Sequence, residues 1–154
     1  MKYWLIKSEP EVFSIDDLAK AKNKMTCWDG VRNYQARNFI RDEMKIGDPV
    51  IFYHSNSDPA GCAGICEVVK EGYPDFTAFD SEDPHYDPKS KKDSPAWFMM
   101  DIKLVIIFSK FVTLAEIKAN KKLEKIQLVQ RGNRLSVMPL TKAEFEEITR
   151  MGTD

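Results

Sequence analysis

The segment Trp28-Asp29-Gly30-Val31-Arg32-Asn33-Tyr34-Gln35-Ala36-Arg37-Asn38-Phe39 brings an indole, a phenol, two arginines, two asparagines and a glutamine into twelve residues. Arginine and the carboxamides can form paired hydrogen bonds with base edges, and an aromatic plane stacks on any base. On a helix, Tyr34, Arg37 and Arg41 share one flank beside an apolar stripe, where they can approach phosphates. On spacing alone, a solvated helix face with Trp28 in the core accounts for the same pattern.

A catalytic reading would centre on His54, with Asp87 or Asp101 orienting it and Ser55 or Cys66 as nucleophile. No nucleophile-elbow motif accompanies these residues, and Cys66 falls in an apparently buried strand, so His54 is expected to be a hydrogen-bonding residue. The chain also lacks the glycine-rich loops that cradle nucleotide phosphates, so no cofactor is expected. Cys27, Cys62 and Cys66, with only His54 and His85 to join them, make no zinc pattern and read as buried free thiols.

The elements that must position these residues follow from periodicity and punctuation. Tyr3 to Lys7 reads as a strand ended by Ser8-Glu9-Pro10, and Ser14 caps a helix that ends before Met25. Ala36, Phe39, Ile40 and Met44 mark an amphipathic helix over 33–44. Strands are expected at 49–54, 62–69, 97–112 and 135–138, with a polar turn at 55–61. Thr113 and Thr141 open two further helices with capping boxes. Residues 80–96 form a long mixed-charge loop, in which Lys89, Lys91 and Lys92 are offset by neighbouring acids. Trp4 and Trp97 are ambiguous between core and pocket. Strands without regular βαβ spacing predict an α+β fold, a mixed β-barrel or strongly curved sheet with helices packed around it.

The 154 residues suit a single domain spanning 1–154. With 43% hydrophobic and 31% charged residues the chain has a globular composition. A formal net charge of -1 excludes general phosphate attraction as the main source of nucleic-acid affinity, so any basic surface must be local. No apolar run reaches membrane-span length and no signal-peptide pattern opens the chain, which leads to an expectation of no membrane partner and a cytoplasmic location. Oligomeric state is left open.

Seven motifs in order then resemble the EVE domain family: Tyr3-Trp4-Leu5-Ile6-Lys7-Ser8-Glu9-Pro10, Trp28-Asp29-Gly30-Val31-Arg32-Asn33, Phe52-Tyr53-His54-Ser55, Gly64-Ile65-Cys66-Glu67-Val68-Val69, Tyr86-Asp87-Pro88-Lys89-Ser90, Pro95-Ala96-Trp97 and Met138-Pro139-Leu140. EVE domains are similar in fold to PUA and YTH domains. The resemblance implies a PUA-like mixed β-barrel and a pocket that accepts a modified base flipped from its strand, in DNA or RNA. It implies that Lys7, Ser8, Trp28, Val31, Arg32, Asn33 and Tyr34 border the pocket. In this reading Trp28 stacks, Arg32 and Asn33 read edge or phosphate, and Arg37 holds the backbone. His54, Ser55 and Asn56 are expected to approach the same cleft, with Tyr86 and Trp97 as wall or lid. The implied protein is a nucleic-acid binder with no catalytic residue, metal or cofactor. The alternatives are a small enzyme acting on modified nucleotides and a peptide-binding module.

Overall fold

The computed structural model describes residues 1–154. Six strands form one mixed sheet: β1 (Tyr3–Ser8), β2 (Met25–Cys27), β3 (Pro49–His54), β4 (Gly61–Pro74), β5 (Phe98–Thr113) and β6 (Val137–Leu140), in the order β2-β5-β4-β3-β1-β6. Only β1 and β3 pair in parallel; the other neighbours are antiparallel. The apolar run of β3 is explained by its central position, since a strand flanked on both sides and covered on both faces carries no solvent-facing alternation.

The hydrogen-bonded ladder ends at β2 and β6, so the expectation of a closed barrel is narrowed to a mixed six-stranded sheet with two edges. Register shifts interrupt the β4–β5 ladder at four places, and each extra residue bends the strand and increases its twist. β4 and β5 run to 14 and 16 residues, and β4 continues well past the expected Val69. Gly72 permits that extension: a Cβ there would stand 2.4 Å from the Ile40 carbonyl oxygen, so only a residue without a side chain lets β4 pass this close.

The helices are α1 (Ile15–Lys20), α2 (Tyr34–Asn38), α3 (Leu114–Ala119) and α4 (Lys142–Thr153). Capping boxes open three of them, from Ser14 with Asp17, Thr113 with Glu116, and Thr141 with Glu144. The helix expected over 33–44 is split: after Asn38 it widens into a π turn, Phe39–Glu43, closed by the Met44 N–H donating to the Phe39 carbonyl. The apolar stripe survives the change, with Ala36, Ile40 and Met44 buried. The last strand begins two residues later than its pattern implied, at Val137.

A cluster of 31 buried residues joins the sheet to the helices. Trp4 belongs to it, and its indole N–H donates to the buried Asp48 carboxylate at 3.0 Å. No helix is long and apolar enough to cross a membrane.

Candidate nucleic-acid interface

A cavity of about 370 Å³ opens where the end of β1, the end of β2 and the segment 28–31 meet. Lys7 and Ser8 come from β1, Val12 and Phe13 from the turn after it, Thr26 and Cys27 from β2, His85 from the long loop and Ser136 from the approach to β6. Trp28, Asp29, Gly30 and Val31 complete the lining. Its polar side carries groups of both signs, and its apolar side is formed by Val12, Phe13, Trp28 and Val31.

Trp28 is almost wholly buried, edge-on to Phe52 at 5.5 Å and to Phe13 at 6.3 Å. It therefore forms the floor of the cavity and exposes only a small part of its ring. Lys7 has no carboxylate partner, and burial lowers its ammonium below the usual lysine range. The Ser8 hydroxyl donates to the Phe13 carbonyl at 2.6 Å, which fixes the turn.

Asp29 is half-buried; burial first, and then the neighbouring Asp75 carboxylate, pushes its carboxyl above the ordinary aspartate range. Gly30 holds φ +77, and a Cβ there would meet the His85 ring at 2.6 Å, so backbone and imidazole touch. Glycine is required both for that conformation and for the contact. His85 Nδ1 lies 3.2 Å from Asp83 Oδ1 but out of line for a hydrogen bond, and has no other partner. One ligating atom from each of Asp29, Asp83 and His85 falls within 4.8 Å of the others, making these the residues that could hold a metal.

Arg32 turns inward, with its side chain 23% exposed. It donates to Asp75 at 2.9 Å, to the His85 carbonyl at 2.7 and 3.2 Å, and to the Thr77 hydroxyl at 3.3 Å. Asp75 is fully buried and also accepts the Gly30 N–H at 2.9 Å and both the N–H and hydroxyl of Thr77. Although burial opposes ionisation, hydrogen bonds from Thr77, Gly30 and Arg32 outweigh it and hold the Asp75 carboxyl below its ordinary range. The Arg32–Asp75 pair thus braces the cavity wall from behind. Its role as an edge or phosphate reader is corrected by this geometry, because a buried carboxylate without its cation would be strongly unfavourable.

Asn33 caps α2 through its side-chain oxygen, which accepts the Ala36 N–H at 3.0 Å, and borders a neighbouring groove. Tyr34 is exposed and stacks on Trp97 at 4.8 Å. Arg32 and Arg37 lie against Trp97 and Tyr34 respectively, at 5.3 and 5.0 Å, and Arg37 also donates to the Ala96 carbonyl. Trp97 is buried, with its indole N–H donating to Asp87 at 2.7 Å. This stack fastens the end of the long loop to α2. It does not line the cavity, and neither does the exposed Tyr86.

His54, Ser55 and Asn56 are placed elsewhere, contrary to expectation. His54 Nε2 accepts the Ile15 N–H at 3.1 Å, capping α1; burial lowers its basicity, in keeping with an acceptor nitrogen. The Ser55 N–H donates to the Ser8 carbonyl, and Asn56 reaches Glu9 at 3.3 Å. The parallel β1–β3 register aligns Ser8 with His54, but none of His54, Ser55 and Asn56 lines the cavity. Of the other groups in the catalytic alternative, Asp87 holds Trp97, Asp101 accepts the Tyr73 hydroxyl, and burial raises the Cys66 thiol far above its usual range.

Sequence reasoning missed Val12, Phe13, Thr26, Cys27, Asp29, Gly30, His85 and Ser136 as lining residues. Asp29 and Gly30 lie inside the Trp28–Asn33 segment. Cys27 is half-buried at the cavity instead of in the core, unlike the buried Cys62 and Cys66. His85 and Ser136 carried no local signal, because they arrive through loops.

Fold and site together define a small α+β protein with a cavity framed by a strand-to-helix turn and a long anchored loop. The EVE domain model matches residues 2–151, and the chain belongs to the EVE domain family. It is 46% identical over 160 residues to human thymocyte nuclear protein 1, covering 94% of this chain and 71% of that protein. A fission-yeast relative, uncharacterized protein C21.03c, is 36% identical and is 66% covered. The human THYN1 protein in complex with 5-methylcytosine-containing DNA superposes with a TM-score of 0.94 at 44% identity, covering 100% of this chain and 99% of that one. A Pseudomonas putida protein gives 0.92 at 43%, covering 97% and 98%. The expected cytoplasmic location is corrected here: the human, rat and mouse relatives are named as nuclear proteins, and a missing signal-peptide pattern does not separate nucleus from cytoplasm.

Proposed function

We propose that this chain is a non-catalytic reader of modified cytosine in DNA, accepting the base, turned out of its strand, in the cavity above Trp28. The observation that carries this reading is the likeness, over 100% of this chain and 99% of the solved one, to the human THYN1 structure in complex with 5-methylcytosine-containing DNA. The cavity supports it chemically. Its 370 Å³ falls within the roughly 300–1,000 Å³ of small-ligand sites. Asp29 can accept the exocyclic amine of cytosine, Lys7 and the His85 ring can donate to its acceptors, and Val12, Phe13 and Val31 offer an apolar recess to a methyl group. Burial of one methyl group is worth about 1 kcal/mol, so the preference for the mark is about fivefold unless water is also displaced.

Residues 1–154 act as one folding unit, supported by the cluster of 31 buried residues that spans every strand except β2. The sheet curls as a PUA-like barrel. Four strand spacings separate β2 from β1, about 19 Å in a flat sheet, yet Cys27 and Lys7 line one cavity.

The test is fluorescence anisotropy with matched methylated and unmethylated DNA, single- and double-stranded, with RNA counterparts, at two salt concentrations. A preference for methylated DNA that persists at the higher salt is expected, with oligonucleotides unchanged by mass spectrometry after incubation. Equal affinity for both forms, or turnover of either, overturns the reading.

A further inference from the structure

A second groove, of about 480 Å³, lies beside the cavity and is lined almost wholly by polar side chains, among them Asn33, Gln35, Gln130, Arg131, Asn133 and Arg134. It contains no carboxylate. In a chain of net charge -1 this is a local basic surface of the kind that composition alone could not supply.

The two arginines are set apart by what they do not touch. Of the six arginines in the chain, Arg32, Arg41 and Arg150 pair with carboxylates and Arg37 donates to a carbonyl and to Asn38. Arg131 and Arg134 have neither an ion pair nor a side-chain hydrogen bond, and both face the same groove. A guanidinium presents a planar fork that matches two phosphate oxygens, and it carries its charge at every physiological pH.

The loop that presents them is held in place. The Gln130 amide donates to the Glu124 and Ile126 carbonyls, Gly132 turns the chain at φ +80, and Asn133 accepts the Leu135 N–H at 2.9 Å. The groove also adjoins the cavity through two segments: Val31 and Ser136 line the cavity, while Asn33 and Leu135 line the groove. The wall of the groove is therefore continuous with the rim of the cavity.

We infer that the groove is the track for the phosphodiester backbone of the DNA strand whose nucleotide enters the cavity, with Arg131 and Arg134 each engaging a phosphate. This rests on the reading of the chain as a modified-cytosine binder. It assigns affinity to the groove and discrimination to the cavity, as phosphate contacts position and base contacts specify.

The experiment compares wild type with R131A/R134A and R131K/R134K on methylated and unmethylated DNA across a salt series. Two lost phosphate contacts lower the slope of log affinity against log salt by about 1.8. Affinity at 0.1 M salt is expected to fall at least tenfold for both DNAs, with the methyl preference unchanged. The lysine pair keeps most of the slope. Unchanged affinity and slope in the alanine pair, with wild type still preferring methylated DNA, overturns the groove assignment alone. A change in methyl preference without a change in slope also overturns it. Wild type that binds no DNA overturns both this assignment and the reading beneath it. Both arginines are exposed and unpartnered, so the thermal midpoint of each variant should match wild type and exclude misfolding.

Discussion

Asp75→Asn isolates the brace behind the cavity. The Asp75 carboxylate accepts four hydrogen bonds, from the Gly30 N–H, the Arg32 guanidinium, and the N–H and hydroxyl of Thr77, which is close to its full capacity. An asparagine amide replaces one acceptor oxygen with a donor, so either orientation sets an NH2 against donors. Breaking a fully buried pair costs about 3–5 kcal/mol. Arg32 keeps its bonds to the His85 carbonyl and its side chain is 23% exposed, so water offsets part of that loss. The expected destabilisation at pH 7 is about 3 kcal/mol, or about 6–12 °C in thermal midpoint for a chain of this size. Affinity for methylated DNA should fall as well, since Gly30 and His85 are both attached to this network.

The sign of the pH dependence follows from the depressed Asp75 carboxyl. Its contribution is fully present above the unfolded value near 4 and is lost as pH falls through the lower folded value. Urea titrations of wild type and variant between pH 2.5 and 7 should therefore converge in acid. A double-mutant cycle with Arg32→Gln should show coupling, because the second change removes the stranded charge. A destabilisation below about 1 kcal/mol at pH 7, or a gap that stays constant down to pH 2.5, would refute the assignment of the brace to this pair.

Asp29 carries a carboxyl raised by burial and by Asp75, so methyl-DNA affinity should decline on acidification at a higher pH than for an ordinary aspartate. Asp29→Asn should lose that dependence in anisotropy titrations; a persisting profile assigns it to another group. Trp28→Ala removes a buried indole and should cost about 3–5 kcal/mol by urea denaturation, whereas Trp28→Phe should keep the fold and weaken methylated-DNA binding. Full binding by a folded Trp28→Phe protein would remove the indole from the site. His54→Ala leaves the Ile15 N–H without its partner and should cost about 1–2 kcal/mol with no change in DNA preference. A shift in preference would return His54 to the binding surface.

Local physics was legible along the chain because it needs only neighbours. The helix starts at Ser14, Thr113 and Thr141 rest on a hydroxyl and an acid three residues apart, and both groups are present in the sequence itself. The buried run at 49–54 was visible for the same reason, whereas Trp28 to Asn33 stood out only through the resemblance to the EVE family. The π turn after Asn38 was not, since it accompanies the close passage of β4 at Gly72. The arrival of Gly72 against the Ile40 carbonyl is a contact between distant parts of the chain, and no local pattern announces it.

The same division separates the candidate site residues. The resemblance to the EVE family implies Lys7, Ser8, Trp28 and Val31 at the pocket, and these four line the cavity. Arg32 has the side chain of a base reader, and only the fold, by placing the buried Asp75 beside it, turns it into a brace. His54 has the side chain of a catalyst, and only the parallel register of β1 and β3 sets it beneath α1 as an acceptor. His85 and Ser136 carry no signal at all until two loops bring them to the cavity. The sequence by itself determined the helix caps and the placement of five of the six strands, because these depend on spacing within a few residues, and the resemblance to the EVE family singled out the central motif. Tertiary structure alone decided which polar groups face one another and which are left free for a ligand, because a side chain's role is set by its partners and its exposure to water.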